Sequence, residues 1–375
     1  MSEHAKRSPS AAPRWWGCPG SEVLSLGVSQ RSSAAADEGT IAHGVAETRL
    51  KTGEWPADAD PKMIENLRVY VDDVDELFAD AGIRMIEAKV TVTPDCWGTA
   101  DAIIWNSTTS TLYVRDLKYG AGIGVEVRGN LQLKIYALAA LLTSGYPAKT
   151  INIGICQPRF PHPDGPVRSV DFSSVDLLDF HADLMDALNR IDQAFTKATV
   201  ADWEEKFLHP SEKACRFCLA APNCPKVKKQ AQELAKVAFA PGEVYDPKQL
   251  AHTLDMLPLL EAWIKNCRQF AYEEAEAGRA APGYKLVEKT AHRKFRDDLN
   301  PSELAKAVGV SKGELYSSPT LLGITEIQKM VDAKNDRERA AVLEPFVIKE
   351  SSGHTLVHDT DKRSAIRVDA KAAFA

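Results

Sequence analysis

Apolar positions recur at two periods along this chain, and the periods divide it into elements. From Ala34 to Leu50 the spacing is helical, and a second helical stretch runs from Pro61 to Ala81. Three stretches then read as strands: Met85 to Thr93, Thr99 to Trp105 and Thr111 to Lys118. The polar run Asn106 to Ser110 between the last two predicts a hairpin turn. Leu131, Ile135, Leu138 and Leu142 return to helical spacing, which predicts an amphipathic helix with that stripe buried. Strands are expected again at Ile151 to Pro158 and near Val167 to Phe172, then a long helix from about Ser174 to Ala198. Helix, three strands, helix, strand is the order of an α/β core.

Residues 1–33, rich in Ser, Ala and Pro, read as an N-terminal segment that contains Trp15, Trp16 and Cys18. Residues 34–240 hold the α/β pattern, and after Pro241 the character changes. One helix (about Pro247 to Gly278), a basic stretch from Tyr284 to Arg296 and small helical segments predict a mostly helical extension over 241–375, without a catalytic motif. No internal repeat is visible. At 44% hydrophobic and 26% charged, the 375 residues have the composition of a soluble globular protein. The longest apolar run, Ile135 to Thr143, is far too short for a bilayer, and Met1 to Ser10 lacks the apolar centre of a signal peptide. The expected location is the cytoplasm, with no membrane partner.

A net charge of −6 argues against a protein that coats nucleic acid nonspecifically, but leaves open a grip on DNA in one local groove. Lys226, Lys228 and Lys229 are one candidate patch, or equally a solvated helix face.

The chemistry is concentrated in Gly98-Thr99-Ala100-Asp101 and Val114-Arg115-Asp116-Leu117-Lys118. Side chains alternate along a strand, so Asp116 and Lys118 share a side, and hairpin pairing can bring Asp101 beside Asp116. Two carboxylates offer hard oxygen ligands for Mg²⁺ or Mn²⁺, and the ammonium lies within reach of the same space. Phosphodiester hydrolysis uses such a set: a metal to polarise the phosphate and a cation for developing negative charge. An Asp-x-Lys triplet alone is a weak signal, as Asp361-Lys362 and Asp60-Pro61-Lys62 show. This one follows an apolar strand, one hairpin after a Gly-x-x-Asp. Upstream, His43 lies in a helix with Glu47 one turn on. Downstream, Gln132 and Tyr136 are four apart on the next helix, expected to face outward from its apolar stripe.

Together, His43, Gly98 to Asp101, Asp116-x-Lys118 and Gln132-x-x-x-Tyr136 resemble the PD-(D/E)XK nuclease superfamily in its RecB-like branch, over roughly residues 14–230. The resemblance implies a restriction-endonuclease-like α/β core, a mixed central sheet flanked by helices. It implies that Asp101 and Asp116 bind metal, that His43 completes the coordination and that Lys118 assists the attacking water. Gln132 and Tyr136 would contact DNA, and Glu87 is an outer candidate for metal or water. The proline that precedes the first acid in the superfamily's motif is Ala100 here; Pro94-Asp95 offers it, but in a turn and without the glycine spacing.

Cys215-x-x-Cys218-x5-Cys224 places three thiols in one short segment, one short of a tetrahedral thiolate site, and in a cytoplasmic protein disulfides are the poorer explanation. Cys18 is the expected fourth ligand. One N-terminal cysteine and three C-terminal ones resemble the iron–sulfur RecB-like nucleases of bacterial helicase–nuclease complexes and CRISPR adaptation. A phage-encoded family with the same core and a similar C-terminal extension is also similar. The resemblance implies a [4Fe–4S] cluster acting as a structural clamp. Zn²⁺ held by the three clustered cysteines and His209 is the alternative, and Cys96, Cys156 and Cys267 read as core residues.

The function expected from the resemblance is a metal-dependent deoxyribonuclease, an exonuclease in phage DNA recombination, with DNA as substrate and a single-strand annealing protein as partner. A nuclease-fold DNA-binding protein without catalysis and a zinc-binding adaptor stay as alternatives.

Overall fold

Five strands, β1 (Ile83–Thr93), β2 (Cys96–Asn106), β3 (Thr111–Leu117), β4 (Thr150–Cys156) and β5 (Val167–Ser173), form one sheet in that spatial order. The computed structural model describes residues 5–366 apart from 29–33, 80–81, 198–201, 239–246, 291, 297–298, 318–319, 322–323, 325–326, 328–344, 351–353 and 359–360. The expected helix ends at 81 and 198 lie outside those residues. The chain divides into two compact units, Met1–Asn266 and Cys267–Ala375.

The sheet belongs to the first unit and is mixed. β1, β2 and β3 are antiparallel neighbours, β3 and β4 are parallel, and β5 returns antiparallel to β4. The hairpin between β2 and β3 turns where the polar run predicts. The Asn106 carboxamide oxygen accepts from the backbone N–H groups of Thr108 and Thr109 at 3.0 and 3.1 Å, an Asx turn that closes it. A parallel pair needs a crossover, and α5 (Leu131–Ser144) supplies it. Asn130 caps that helix by accepting from Leu133 N–H, and Gly145 ends it in the left-handed conformation at φ 68°.

Two helical layers cover the sheet. α3 (Ala34–Thr52) and α4 (Pro61–Ala79) pack their Ala42, Leu50, Leu67 and Val74 with Ala102, Ile104 and Leu117 of the strands. On the other side, α5 and α6 (Ser174–Thr196) pack with Ile103, Val114, Ile153 and Ile155. α6 opens with a reciprocal capping box between Ser173 and Asp176. The stripe expected on α5 needs correction. Seven of its residues, Leu133 and Ile135–Ala140, are buried, whereas Leu142 is 53% exposed and Leu131 half-buried. This helix has neighbours nearly all round, including α6 and the N-terminal helix α1 (Ala12–Gly17), so no single apolar stripe describes it.

The alternation along β1 and β2 changes phase at one point. Ile86 and Ala102 pack with the α3–α4 layer, yet Ala88 and Ala100 pack with the α5–α6 layer. Glu87, between Ile86 and Ala88, has φ 51°, a left-handed conformation rare for a side chain of this size and costly within a strand. Asp101 sits across from it.

The unit is completed by α2 (Gly20–Leu24), α7 (Trp203–Phe207), α8 (Glu212–Cys215) and α9 (Pro225–Ala238), and the division falls within α10 (Pro247–Glu276). In the second unit, β6 (Tyr284–Glu288) pairs with a strand at His354–His358, and β7 (His292–Phe295) pairs with one at Val347–Glu350. The stretch expected only as basic, Tyr284 to Arg296, thus carries two strands of an extension expected to be mostly helical. Leu304, Ala305, Val308, Leu315 and Ile327 form a small buried cluster of their own. Among the described residues no helix is long and apolar enough to cross a membrane.

Candidate active site

The phase change at Glu87 and Asp101 creates the site. His43, near the middle of α3, places Nδ1 3.4 Å from Asp101 Oδ1 and 3.6 Å from Glu87 Oε1. The ligand atoms of these three residues lie within 4.8 Å of one another. One imidazole nitrogen and two carboxylates in that space suit a divalent ion such as Mg²⁺ or Mn²⁺. Asp101 is oriented by the backbone: its Oδ2 accepts from Leu117 N–H at 2.7 Å, which leaves Oδ1 for His43.

Asp116 and Lys118 share a side, as the strand period requires, with Lys118 Nζ 2.7 Å from Asp116 Oδ2. The register of β2 and β3, Ala102 opposite Arg115, puts Asp101 across from Asp116 one step further on. Gln132 joins the pair by donating Nε2–H to Asp116 Oδ1 at 3.0 Å and accepting from Lys118 Nζ at 3.1 Å. Its amide also lies 3.5 Å from the Tyr136 hydroxyl. The structure therefore gathers two adjoining groups, His43–Glu87–Asp101 and Asp116–Lys118–Gln132. The carboxylate found in the inner three-residue group is Glu87 rather than Asp116.

The charges reinforce this arrangement. Burial pulls the His43 pKa down, but the hydrogen-bonding carboxylates of Asp101 and Glu87 more than reverse that and raise it to about 10. Burial raises Asp116 to about 6, opposed by Lys118 and assisted by the negative charge of Asp101. For Lys118, burial favours the neutral amine, yet Asp116 and Asp101 outweigh it and hold the pKa above the usual lysine value.

Two expectations for side chains change. Tyr136 does not face outward: it is buried, and Gly98 lets its ring approach, since a Cβ at 98 would meet Tyr136 Cε1 at 2.9 Å and Pro9 Cδ at 3.1 Å. Gln132 is half-buried and turned into the site. Glu47 forms an ion pair with Lys51 at 2.6 Å, away from His43. Asp95, the rejected alternative acid, forms an ion pair with Lys6 at 3.2 Å. The basic patch is partly neutralised, because Lys226 and Lys229 both face Glu205. Sequence reasoning missed Tyr70 of α4, whose hydroxyl is fully buried without a hydrogen-bond partner among the described residues. Burial, then the charges of Asp101, Glu87 and Asp116, raise its pKa well above normal.

A second cluster joins the N-terminal segment to the stretch around α8. Cys18 follows α1, and α8 presents Cys215; these two, with Cys218 and Cys224, line one small enclosed cavity. All four are buried and free. Burial raises Cys18 to about 11 and Cys215 to about 12, while N–H groups aimed at the sulfurs oppose that rise. His209 N–H reaches Cys18 Sγ at 3.3 Å, and the backbones of Ala220 and Ala221 do the same for Cys218. Such N–H···S contacts suit thiolate ligands. No three of the four sulfurs lie within 4.8 Å of one another among the described residues. The His209 ring is turned away, its Nε2 2.9 Å from Lys206 O. Cys96 and Cys156 are fully buried core residues, while Cys267 is only partly buried.

The family described as "Protein of unknown function (DUF2800)" matches residues 4–364 of this chain. A solved structure described as "Crystal structure of SSO0001" is 11% identical, with 60% of this chain and 88% of that chain covered, at a TM-score of 0.25, too low to carry an argument about fold or function.

Proposed function

The chain belongs to the DUF2800 family, and we propose that it is a metal-dependent deoxyribonuclease with a RecB-like PD-(D/E)XK core. One observation carries the reading: the His43–Glu87–Asp101 ligand set adjoins an Asp116–Lys118 ion pair on the neighbouring strand. His43, Glu87 and Asp101 would hold Mg²⁺ or Mn²⁺, with Asp116 the adjacent carboxylate. A divalent ion bound there supplies Lewis-acid polarisation of a phosphate oxygen and a more acidic water. Lys118, kept cationic by its two carboxylate neighbours, faces the developing negative charge rather than acting as a base. Gln132 holds that lysine and Asp116 in register, and Tyr136 supports Gln132 from below; neither needs to touch DNA for this role.

Cys18, Cys215, Cys218 and Cys224 would hold a [4Fe–4S] cluster that ties the N-terminal segment to the cysteine loop. The His209 ring, turned onto Lys206 O, disfavours the mixed zinc site. The test is digestion of end-labelled linear and circular DNA by anaerobically purified protein with and without Mn²⁺. Mn²⁺-dependent cleavage is the expected result. Tight DNA binding with no cleavage under any divalent ion would replace the reading with a non-catalytic DNA-binding protein.

A further inference from the structure

The connection from Lys118 to α5 begins Tyr119-Gly120-Ala121-Gly122-Ile123-Gly124, and its glycines have unequal reasons to be there. A Cβ at Gly124 would meet the Phe160 ring at 2.7 Å, so packing accounts for that glycine. At Gly120 and Gly122 a Cβ would meet nothing within 4 Å, and neither backbone is left-handed. Glycine costs conformational entropy on folding, so two that serve neither packing nor backbone geometry call for another reason. Both are exposed, as is Ala121 between them.

The second observation is how the loop is held. Gln157 is 1% exposed, and its Nε2–H donates to Gly120 O at 3.1 Å and to Ile123 O at 2.7 Å. Its Oε1 accepts from Val125 N–H at 3.1 Å and from Arg168 at 3.2 Å, and Arg168 also donates to Val125 O at 2.9 Å. Carbonyl and N–H point in opposite directions across a trans peptide. The inward carbonyls of Gly120 and Ile123 therefore turn the N–H groups of Ala121 and Gly124 outward. Neither has a hydrogen-bond partner among the described residues. An outward amide without a partner can donate to an anion, and flanking hydrogens in place of side chains let a bulky anion reach it. Arg128, exposed further along the same connection and without a carboxylate partner among the described residues, adds positive charge.

We propose that Tyr119–Gly124 is a phosphodiester-binding loop, in which Ala121 N–H donates to a non-bridging oxygen of the nucleic-acid strand beside Lys118. The assignment rests on the nuclease reading and names the segment that would receive the substrate backbone. Gln157 is its positioning residue, bonded to the loop and to Arg168 rather than to His43, Glu87 or Asp101.

The test uses the full chain with labelled duplex and single-stranded oligonucleotides, Ca²⁺ replacing Mg²⁺ or Mn²⁺ to hold back cleavage. The double variant Gly120→Ala, Gly122→Val should keep or raise the melting temperature, since both side chains enter open space. Its Mn²⁺ affinity should be unchanged, because His43, Glu87 and Asp101 lie elsewhere. DNA affinity should fall at least about tenfold, the loss expected for one hydrogen bond to a charged acceptor. The slope of log Kd against log salt should not change, because an amide displaces no counterions; Arg128→Gln should reduce that slope. Gly124→Ala, by contrast, should lower the melting temperature through Phe160. Wild-type DNA affinity in the double variant overturns the proposal, and so does a fall in melting temperature that accompanies weaker binding. If the wild-type protein neither binds nor cuts DNA, the nuclease reading fails first and takes this proposal with it.

Discussion

Glu87→Gly should separate stability from metal binding, because the two respond in opposite directions. Glu87 holds φ 51° inside β1, and a non-glycine residue in that conformation costs roughly 1–2 kcal/mol. Glycine removes that cost but adds about 0.5–1 kcal/mol of backbone entropy. The metal-free fold should therefore be unchanged or up to about 1.5 kcal/mol more stable, an upward shift of at most about 3–6 °C for a domain of this size. His43 keeps Asp101 at 3.4 Å but loses one of its two carboxylate neighbours, which offsets part of that gain at pH values where the imidazole is charged. Metal binding should behave differently. Groups that merely orient ligands are worth roughly 10–100-fold in affinity, so losing one of three ligands should weaken Mn²⁺ binding by at least about 100-fold. At 100 times its own Kd, Mn²⁺ stabilises the wild type by about 2.7 kcal/mol; at the same concentration the variant should gain only about 0.4 kcal/mol. Thermal melts in EDTA and in Mn²⁺, with calorimetric titration of Mn²⁺, read both effects. A variant that melts several degrees lower in EDTA would show Glu87 to be structural. One that retains the full Mn²⁺ shift would remove it from the ligand set.

Three further outcomes are expected. Asp116→Asn and Lys118→Ala should each reduce Mn²⁺-dependent cleavage by about 10²-fold or more in protein that circular dichroism shows to be folded, and near-normal activity in either purified variant would refute the site. In the metal-free protein the raised His43 pKa contributes stability that is complete below about pH 6.5 and lost as pH rises through about 10. A metal must displace the same proton, so Mn²⁺ affinity should rise from pH 7 to 9 with release of about one proton per ion; calorimetry in buffers of different ionisation enthalpy measures it, and a pH-independent affinity would exclude His43 as a ligand. Anaerobically purified protein should be brown, and Cys18→Ser should bleach and destabilise it while Cys267→Ser does neither; colourless protein with stoichiometric zinc would refute the iron–sulfur assignment.

The elements were legible in the sequence wherever a local period or turn signal decides them. The Asn106–Ser110 turn, the strands on either side of it and the shared side of Asp116 and Lys118 follow from alternation and turn chemistry within a few residues. The grouping of Cys215, Cys218 and Cys224 is likewise local. Whether Cys18 would meet them depended on a fold that brings positions about two hundred apart to one cavity. The second unit's strands were missed because β6 and β7 are short and pair with segments some sixty residues away. α5 was misread because a helix with neighbours nearly all round has no polar face to set its phase, so Tyr136 looked like surface and is core. That Glu87, rather than Asp116, lies with His43 and Asp101 in the inner three-residue group has the same origin. Alternation predicts facing only while it stays in phase, and the left-handed backbone at Glu87 breaks it at that point. Local periodicity could name the acids, the lysine and the thiols, since those identities are written in the chain. Which carboxylate faces His43 is set by the strain at one backbone position and by a helix arriving from forty residues upstream, and only the packed sheet and its covering helices decide that.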